Sequence, residues 1–325
     1  MTASKAGDLS ETAKLDAAED SIDRRGLLKC MAWAGTGLLW TLDAGIPSSS
    51  LLAAEGKKAK SSSFSFVQIS DSHIGFNKPA NPDVTATMQA AIAKINALPH
   101  TPDFMIHTGD LTHQSKPKEF DDMDGVLHES KVKDIFYVPG EHDTSVDDGK
   151  LYLEKYGKNT KGTGWYSFDH KGVHLVGLVN VVQLEGMGML GHEQLDWLQK
   201  DLKAVSSSTP VVVFAHIPLW TVYPEWGWGT KDSAEALSYT KRFGSVTVLN
   251  GHIHQIMQKV EGRVTFHSAR STAFPQPAPG KAPAPGPMTV PAGELRSVLG
   301  IAEVNYNQGS HHLAIVDEAL EQGPK

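Results

Sequence analysis

The chain has 325 residues, 40% of them hydrophobic, and a formal net charge of −7. That is enough apolar mass for one large core, and the acidic balance excludes the global basic field that draws nucleic acid. The single cysteine, Cys30, excludes an intramolecular disulfide and a thiolate metal site, so any metal must be held by histidine and carboxylate.

The first sixty residues read as lying outside the fold. Asp23-Arg24-Arg25-Gly26-Leu27-Leu28-Lys29 resembles the twin-arginine export signal, with Asp23 where that signal usually has Ser or Thr and Leu27 where it has Phe. An apolar stretch over residues 30–42 follows, too short for a membrane-spanning helix. The alternative is a buried helix with a basic cap, which the polar flanks disfavour. The resemblance implies the twin-arginine translocase as a partner during export, cleavage near Ala53-Ala54, and a periplasmic or secreted mature protein. Leu28-Lys29 ahead of Cys30 is a poor lipoprotein cleavage box, so no stable membrane anchor is expected. The division is a leader and tail over 1–60 and one domain over 61–325, approached through Ser61-Ser62-Ser63.

From Phe64 the pattern is α/β. The run over residues 66–70 predicts a strand. Val84, Met88, Ile92, Ile95 and Leu98 recur at helical spacing and predict an amphipathic helix, ended by Pro99 and Pro102. Residues 104–108 predict the next strand, completing a βαβ unit. A helix over 118–129 leads to a short strand over 135–138. Residues 165–168 and 173–178 read as a hairpin across Asp169-His170-Lys171-Gly172. Leu195, Leu198, Leu202 and Val205 mark a second amphipathic helix, and a buried strand over 211–215 follows. Residues 246–250 form another strand, and 256–260 with 264–267 a hairpin turning at Glu261-Gly262-Arg263. Residues 275–291 hold seven prolines, which exclude helix and central strand; they predict an extended surface crossing. The runs at 298–301 and 313–316 read as edge strands. Parallel units followed by hairpins suggest one mixed sheet or two packed sheets with helices outside.

Five strand ends deliver ionisable residues: Asp71-Ser72-His73, Gly109-Asp110, Gly140-Glu141-His142-Asp143, His216, and Gly251-His252-Ile253-His254. Open α/β sheets place chemistry at the carboxyl ends of strands, so these could meet at one sheet edge. In order and type, the blocks resemble the calcineurin-like metallophosphoesterases, whose pattern is D-x-H, G-D, G-N-H-D/E, H, G-H-x-H. The resemblance runs from Asp71 to His254. Each block alone is weak, and five in order are strong.

The resemblance implies an α/β (α+β) fold of two packed mixed β-sheets flanked by helices, an αββα sandwich. It implies two metal ions of the Mn, Fe or Zn class and a small-molecule phosphate ester as substrate. Asp110 would bridge the ions, Asp71, His73 and His254 would complete one shell, and Glu141, His216 and His252 the other. His142 would contact phosphate and assist the leaving oxygen, and Asp143 would orient that imidazole. The family has Asn where this chain has Glu141; the carboxylate either ligates or swings away. The position three residues after the bridging Asp is His113, where purple acid phosphatases have Tyr; it is expected behind the ligands or on the surface. His107, inside a strand run, reads as a core histidine.

Trp220, Tyr223, Trp226 and Trp228 crowd the loop after His216 and could stack on the substrate or anchor the loop. The resulting expectation is an exported dinuclear-metal phosphoesterase, favouring diesters. The alternatives are a phosphomonoesterase, or a metal-binding protein on the same scaffold with weak or diverted hydrolysis.

Overall fold

The structure, a computed structural model, describes residues 37–43, 46–52, 63–181, 186–308 and 313–321. The chain divides into two units, Met1–Ser61 and Ser62–Lys325. In the first, Gly37–Asp43 (β1) and Ile46–Leu52 (β2) pair antiparallel. Arg24, Arg25, Cys30 and the Ala53-Ala54 cleavage site lie outside the described residues. Among the described residues no helix is long and apolar enough to cross a membrane.

The second unit opens with Phe64–Ile69 (β3), whose side chains alternate between two environments. Phe64 and Phe66 face one apolar cluster, whereas Val67 and Ile69 face another. Val84–Asn96 (α1) follows, capped by the Asp83 carboxylate accepting the Ala86 N–H at 2.9 Å. Its Val84, Met88, Ile92 and Ile95 are buried against the outer face of β3 and of Phe104–His107 (β4). Pro117–His128 (α2), with proline at its start, leads to Ile135–Tyr137 (β5). Two short helices, Glu141–Thr144 (α3) and Lys150–Tyr156 (α4), precede the hairpin of Tyr166–His170 (β6) and Val173–Gly177 (β7). His192–Ala204 (α5), Val211–Phe214 (β8), Ser233–Thr240 (α6) and Val246–Asn250 (β9) come next. The chain continues through Met257–Glu261 (β10), Val264–Ser268 (β11), Leu295–Val298 (α7), Gly300–Tyr306 (β12) and Ala314–Ala319 (β13).

The strands of this unit form two sheets, ordered β13-β12-β3-β4-β5 and β10-β11-β9-β8-β7-β6. The first is parallel from β3 to β5 and antiparallel at β12 and β13. The second is parallel from β11 through β7 and closes with antiparallel β10 and β6. Phe66, Phe104 and Ile106 of one sheet pack on Val212, Phe214 and Leu249 of the other. The opposite faces are covered by α1 and α2 on one side and by α5 and α6 on the other. This is the αββα sandwich expected from the resemblance.

Two sequence readings change. β12 is an interior strand between β13 and β3; its Ile301, Ala302 and Val304 are buried on alternate faces, which an edge position would not require. The proline-rich segment is not an extended crossing. The Met288 N–H donates to the Pro275 carbonyl at 2.9 Å, closing residues 275–288 into a loop.

One histidine far from the strand ends reports on stability. His174 in β7 lies 2.8 Å from Asp169 of β6 and 2.8 Å from Asp201 of α5. Burial disfavours its charged form, but the bonds to Asp201 and Asp169 outweigh it and raise its pKa. A raised folded pKa contributes stability that is full below the unfolded value of about 6.5 and is lost as pH rises through the folded value. His174→Gln is therefore expected to lower the melting temperature more at about pH 5.5 than at about pH 9. Scanning calorimetry at the two pH values checks this, and equal losses would contradict it.

Candidate metal centre

The carboxyl ends of β3, β4 and β5 in one sheet and of β8 and β9 in the other converge at one end of the sandwich. The ionisable residues therefore meet across two sheets, where an edge of one sheet was also possible from sequence. Five of them, Asp71, His73, Asp110, His252 and His254, adopt positive φ between 42° and 69°. Non-glycine residues rarely occupy that region, and its cost is carried where function fixes the side chain. His252 and His254 share a side through this tight turn, in which Ile253 N–H donates to Gly251 O at 2.8 Å. Ile253 between them is buried. Glycine is required beside them for close approach. A Cβ on Gly140 would stand 2.0 Å from Asp110 Oδ1, and one on Gly251 would stand 1.9 Å from Ser70 Oγ.

The seven residues form two sets sharing one carboxylate. His254 Nε2 lies 3.2 Å from Asp71 Oδ1 and 3.3 Å from His73 Nε2. Glu141 Oε2 lies 2.9 Å from His216 Nε2, and Glu141 Oε1 3.0 Å from His252 Nδ1. Asp110 Oδ2 stands between the sets, 3.5 Å from His73 Nε2 and 3.4 Å from His216 Nε2. Its other oxygen accepts the His142 N–H at 3.0 Å. Of the two placements open for Glu141, the carboxylate is turned inward.

The donor set fits cations. His216 Nδ1 donates to Thr108 O at 2.7 Å and His254 Nδ1 to Phe274 O at 2.5 Å. With Nδ1 committed to a carbonyl, each ring presents Nε2 to the cluster. Glu141 Oε2 is buried with no hydrogen-bond donor assigned to it, and His216 Nε2 faces it at 2.9 Å. Lone pairs facing each other at such distances repel unless positive charge lies between them. The charges act in the same direction. Burial pushes Asp71 up, yet His254 and His216 hold it down at about 2. Burial likewise opposes ionisation of Glu141, and His252 and His216 hold it well below the usual carboxylate range. Asp110 and Glu141 raise His216 well above an ordinary imidazole, against burial. His73 is pushed well down by burial and by His142, which keeps its lone pair available. A cluster that draws protons onto a buried imidazole also draws cations, and the sets Asp71-His73-His254 and Glu141-His216-His252 each have metal-ligand spacing.

Asp143 departs from its expected role. Its carboxylate accepts from the N–H groups of Leu111, Thr112 and Gly140 and from Thr112 Oγ1, at 2.8 to 3.1 Å. These bonds tie the turn after β4 to the turn after β5. Burial and the nearby Asp110 charge push its pKa up to about 7, against the three backbone donors. The His142 ring is instead oriented by its Nδ1 donating to the His113 carbonyl at 2.7 Å. Sequence reasoning could not find this, because a backbone carbonyl leaves no residue signature. His113 itself is half-buried, stacked on His142 with centroids 4.8 Å apart, and its Nδ1 is 3.4 Å from His73 Nδ1. His107 is a core histidine, bonded to Ser72 Oγ at 2.9 Å, and burial lowers its pKa to about 3.

A cavity of about 370 Å³ opens over the cluster, with His142 in its wall. Of the four aromatics proposed to meet substrate, Trp226 and Trp228 line it. They pack edge to face at 5.1 Å. Trp220 does not: its ring packs on Phe266 at 5.1 Å, against the helix-covered outer face. Tyr223 supports Trp226 edge-on at 5.2 Å and is not part of the lining. Pro285, Gly286 and Pro287 of the proline-rich loop complete a wall. That loop is fastened to the ligand turn by Gln276 Nε2 donating to His252 O at 3.1 Å and Gln255 Nε2 to Pro277 O at 2.8 Å.

Two histidine and carboxylate sets joined by one aspartate and open to a cavity define a two-metal phosphoesterase centre. The sequence matches the calcineurin-like phosphoesterase family over residues 64–256, and the chain belongs to that family. It is a metal-dependent phosphoesterase, a hydrolase whose cofactor is two metal ions. The chain is 24% identical over 216 residues to a 3′,5′-cyclic-nucleotide phosphodiesterase of Nostoc sp., covering 65% of this chain and 79% of that protein. It is 29% identical over 170 residues to a probable glycerophosphodiester phosphodiesterase of Arcobacter nitrofigilis, covering 47% of this chain and 56% of that protein. Among solved structures, a dimetal phosphatase from Danio rerio superposes with a TM-score of 0.58 at 13% identity, over 80% of this chain and 97% of the other. A purple acid phosphatase from yellow lupin gives 0.57 at 12% identity, over 85% and 55%. The two structural likenesses establish the fold.

Proposed function

We propose that the protein is an exported phosphodiesterase acting on small-molecule phosphate esters. The observation that carries the hydrolytic part is the Asp110 carboxylate lying between two complete ligand sets beneath a cavity that His142 enters. The diester preference is supported by relatives named for cyclic-nucleotide and glycerophosphodiester hydrolysis. Asp71, His73, Asp110 and His254 would hold one ion, and Asp110, Glu141, His216 and His252 the other. Bound there, the ions supply Lewis acidity toward phosphoryl oxygen and acidify water.

The chain's own groups do the rest. The carbonyls of Thr108 and Phe274 fix two ligand tautomers. The His113 carbonyl fixes His142 so that Nε2 carries the exchangeable proton into the cavity. Burial disfavours a charged His142, but Asp110 and then Glu141 outweigh it and raise its pKa. The ring can therefore hold a proton near neutral pH and pass it to the departing alkoxide. Asp143 keeps the two ligand turns in register. Trp226, Trp228 and the proline-rich loop exclude water from the ester's organic part.

Turnover of bis-p-nitrophenyl phosphate against p-nitrophenyl phosphate tests the diester reading. A higher kcat/KM for the diester is expected, and a clear excess for the monoester would replace it with the phosphomonoesterase reading.

Export is supported by Arg24-Arg25 and the apolar residues 30–42. Arg24→Lys with Arg25→Lys should leave the protein inside the cell, as fractionation and immunoblotting would report. Export at the parental level would remove the twin-arginine translocase and the periplasmic location from the account.

A further inference from the structure

The cavity wall above the metal centre is largely apolar, built from Phe76, Ile217, Trp226 and Phe274, and among the described residues Lys78 is its only lysine or arginine. The backbone holds that lysine in place. Asn81 N–H donates to Lys78 O at 2.9 Å, closing a turn with Pro79 at its second position. The Asn81 side-chain amide donates to Ala273 O at 2.7 Å and to Thr87 Oγ1 at 3.0 Å, which anchors the turn. The anchor is the residue before Phe274, whose carbonyl orients the His254 ring. The Lys78 ammonium stands 5.9 Å from the Phe76 ring centroid, and that ring packs on Phe274 at 4.4 Å. None of the ion pairs among the described residues involves Lys78. Among the described residues, the carboxylates at the site are those of Asp110 and Glu141 in the lining and Asp71 beneath it. Among the described residues that line the cavity, Lys78 is thus the one permanently charged cation, an exposed side chain beside an apolar wall on a chain whose carboxylates gather at the reacting end.

We propose that Lys78 is a specificity-determining residue that strengthens the binding, and so lowers the KM, of phosphate esters carrying a second negative charge, while the choice of diester over monoester is left to the reacting end. Two sources supply such a charge: the second ionised oxygen of a monoester, or an anionic group on the ester's organic part. An apolar wall solvates neither, and the ammonium compensates the loss of water around either one. The inference deepens the hydrolytic reading and rests on it.

The test compares the parent with Lys78→Met and Lys78→Arg, each loaded with manganese and matched in metal content. Three substrates are used at about pH 8, where a monoester is doubly ionised. They are bis-p-nitrophenyl phosphate, p-nitrophenyl phosphate, and a p-nitrophenyl diester of hydroxyacetate. Calorimetric titration with inorganic phosphate gives a readout independent of turnover. Lys78→Met is expected to raise KM about three- to tenfold for a doubly charged ester, with bis-p-nitrophenyl phosphate changed less than about twofold and kcat retained. Lys78→Arg should restore the parental values. A shift for p-nitrophenyl phosphate and inorganic phosphate alone assigns the charge to the phosphoryl group. A shift for the hydroxyacetate diester alone assigns it to the organic part. Equal shifts for all three esters, or none, would overturn the proposal. If the parent hydrolyses none of the esters, the hydrolytic reading fails and the ester-specificity proposal falls with it; if it hydrolyses them with no charge-dependent shift on Lys78→Met, the proposal alone fails.

Discussion

Asp110→Asn is expected to lose at least one metal equivalent per chain and to reduce turnover on the order of 10³-fold. Asn keeps the shape of the side chain and can still accept the His142 N–H that Asp110 Oδ1 accepts at 3.0 Å. What it removes is the charge that faces His73 at 3.5 Å and His216 at 3.4 Å through one oxygen. Two dications within about 4 Å need a shared anion, because their mutual repulsion is on the order of 15 kcal/mol even at an effective dielectric near 20. Elemental analysis after dialysis, alongside steady-state kinetics, reads both effects. Two retained equivalents with parental turnover would remove Asp110 from the bridging position.

His142→Asn is expected to leave metal content unchanged and to reduce kcat by about 10²- to 10⁴-fold for esters of poorly acidic alcohols. For p-nitrophenyl esters the loss should be much smaller, because nitrophenolate departs without a proton. The pH profile carries a second signature. The parent should lose turnover of alkyl esters as pH rises through the His142 pKa, which Asp110 and Glu141 raise against burial. The variant should lack that basic limb. Equal losses for alkyl and nitrophenyl esters would mean that His142 does not serve the leaving group.

Much of the fold was legible because its elements are locally consistent. Val84, Met88, Ile92 and Ile95 form a helical stripe, and the strand-end blocks are short motifs with fixed spacing. The seven clustered residues could be named because the strand-end blocks match the family's motif order, and the structure brings them together at one end of the sandwich. Positions set by tertiary neighbours were not legible. Trp220 and Trp226 are both aromatics of one loop, yet one faces Phe266 and the other the cavity. Nothing in their spacing separates them. Asp143 follows His142 directly, but the helix start at Glu141 turns its carboxylate toward backbone N–H groups of two turns and away from the neighbouring ring. β12 reads as an edge strand because its partners β3 and β13 lie on either side of it in the sequence, β3 more than two hundred residues away. The proline-rich segment could be excluded from helix and central strand by composition. Its closure and its place in the cavity wall depend on a single hydrogen bond between Met288 and Pro275 and on the fastening at Gln276. Lys78 carries no motif and is distinguished only by where its anchored turn holds it.

The central claim is that this chain is a two-metal hydrolase, and metal titration of the chelator-stripped protein tests it most directly. Manganese or zinc is added by calorimetry while bis-p-nitrophenyl phosphate turnover is followed in parallel. The account predicts saturation at two equivalents per chain, with turnover returning as the second is bound. Saturation at one equivalent with full turnover, or turnover that survives complete removal of metal, would contradict it.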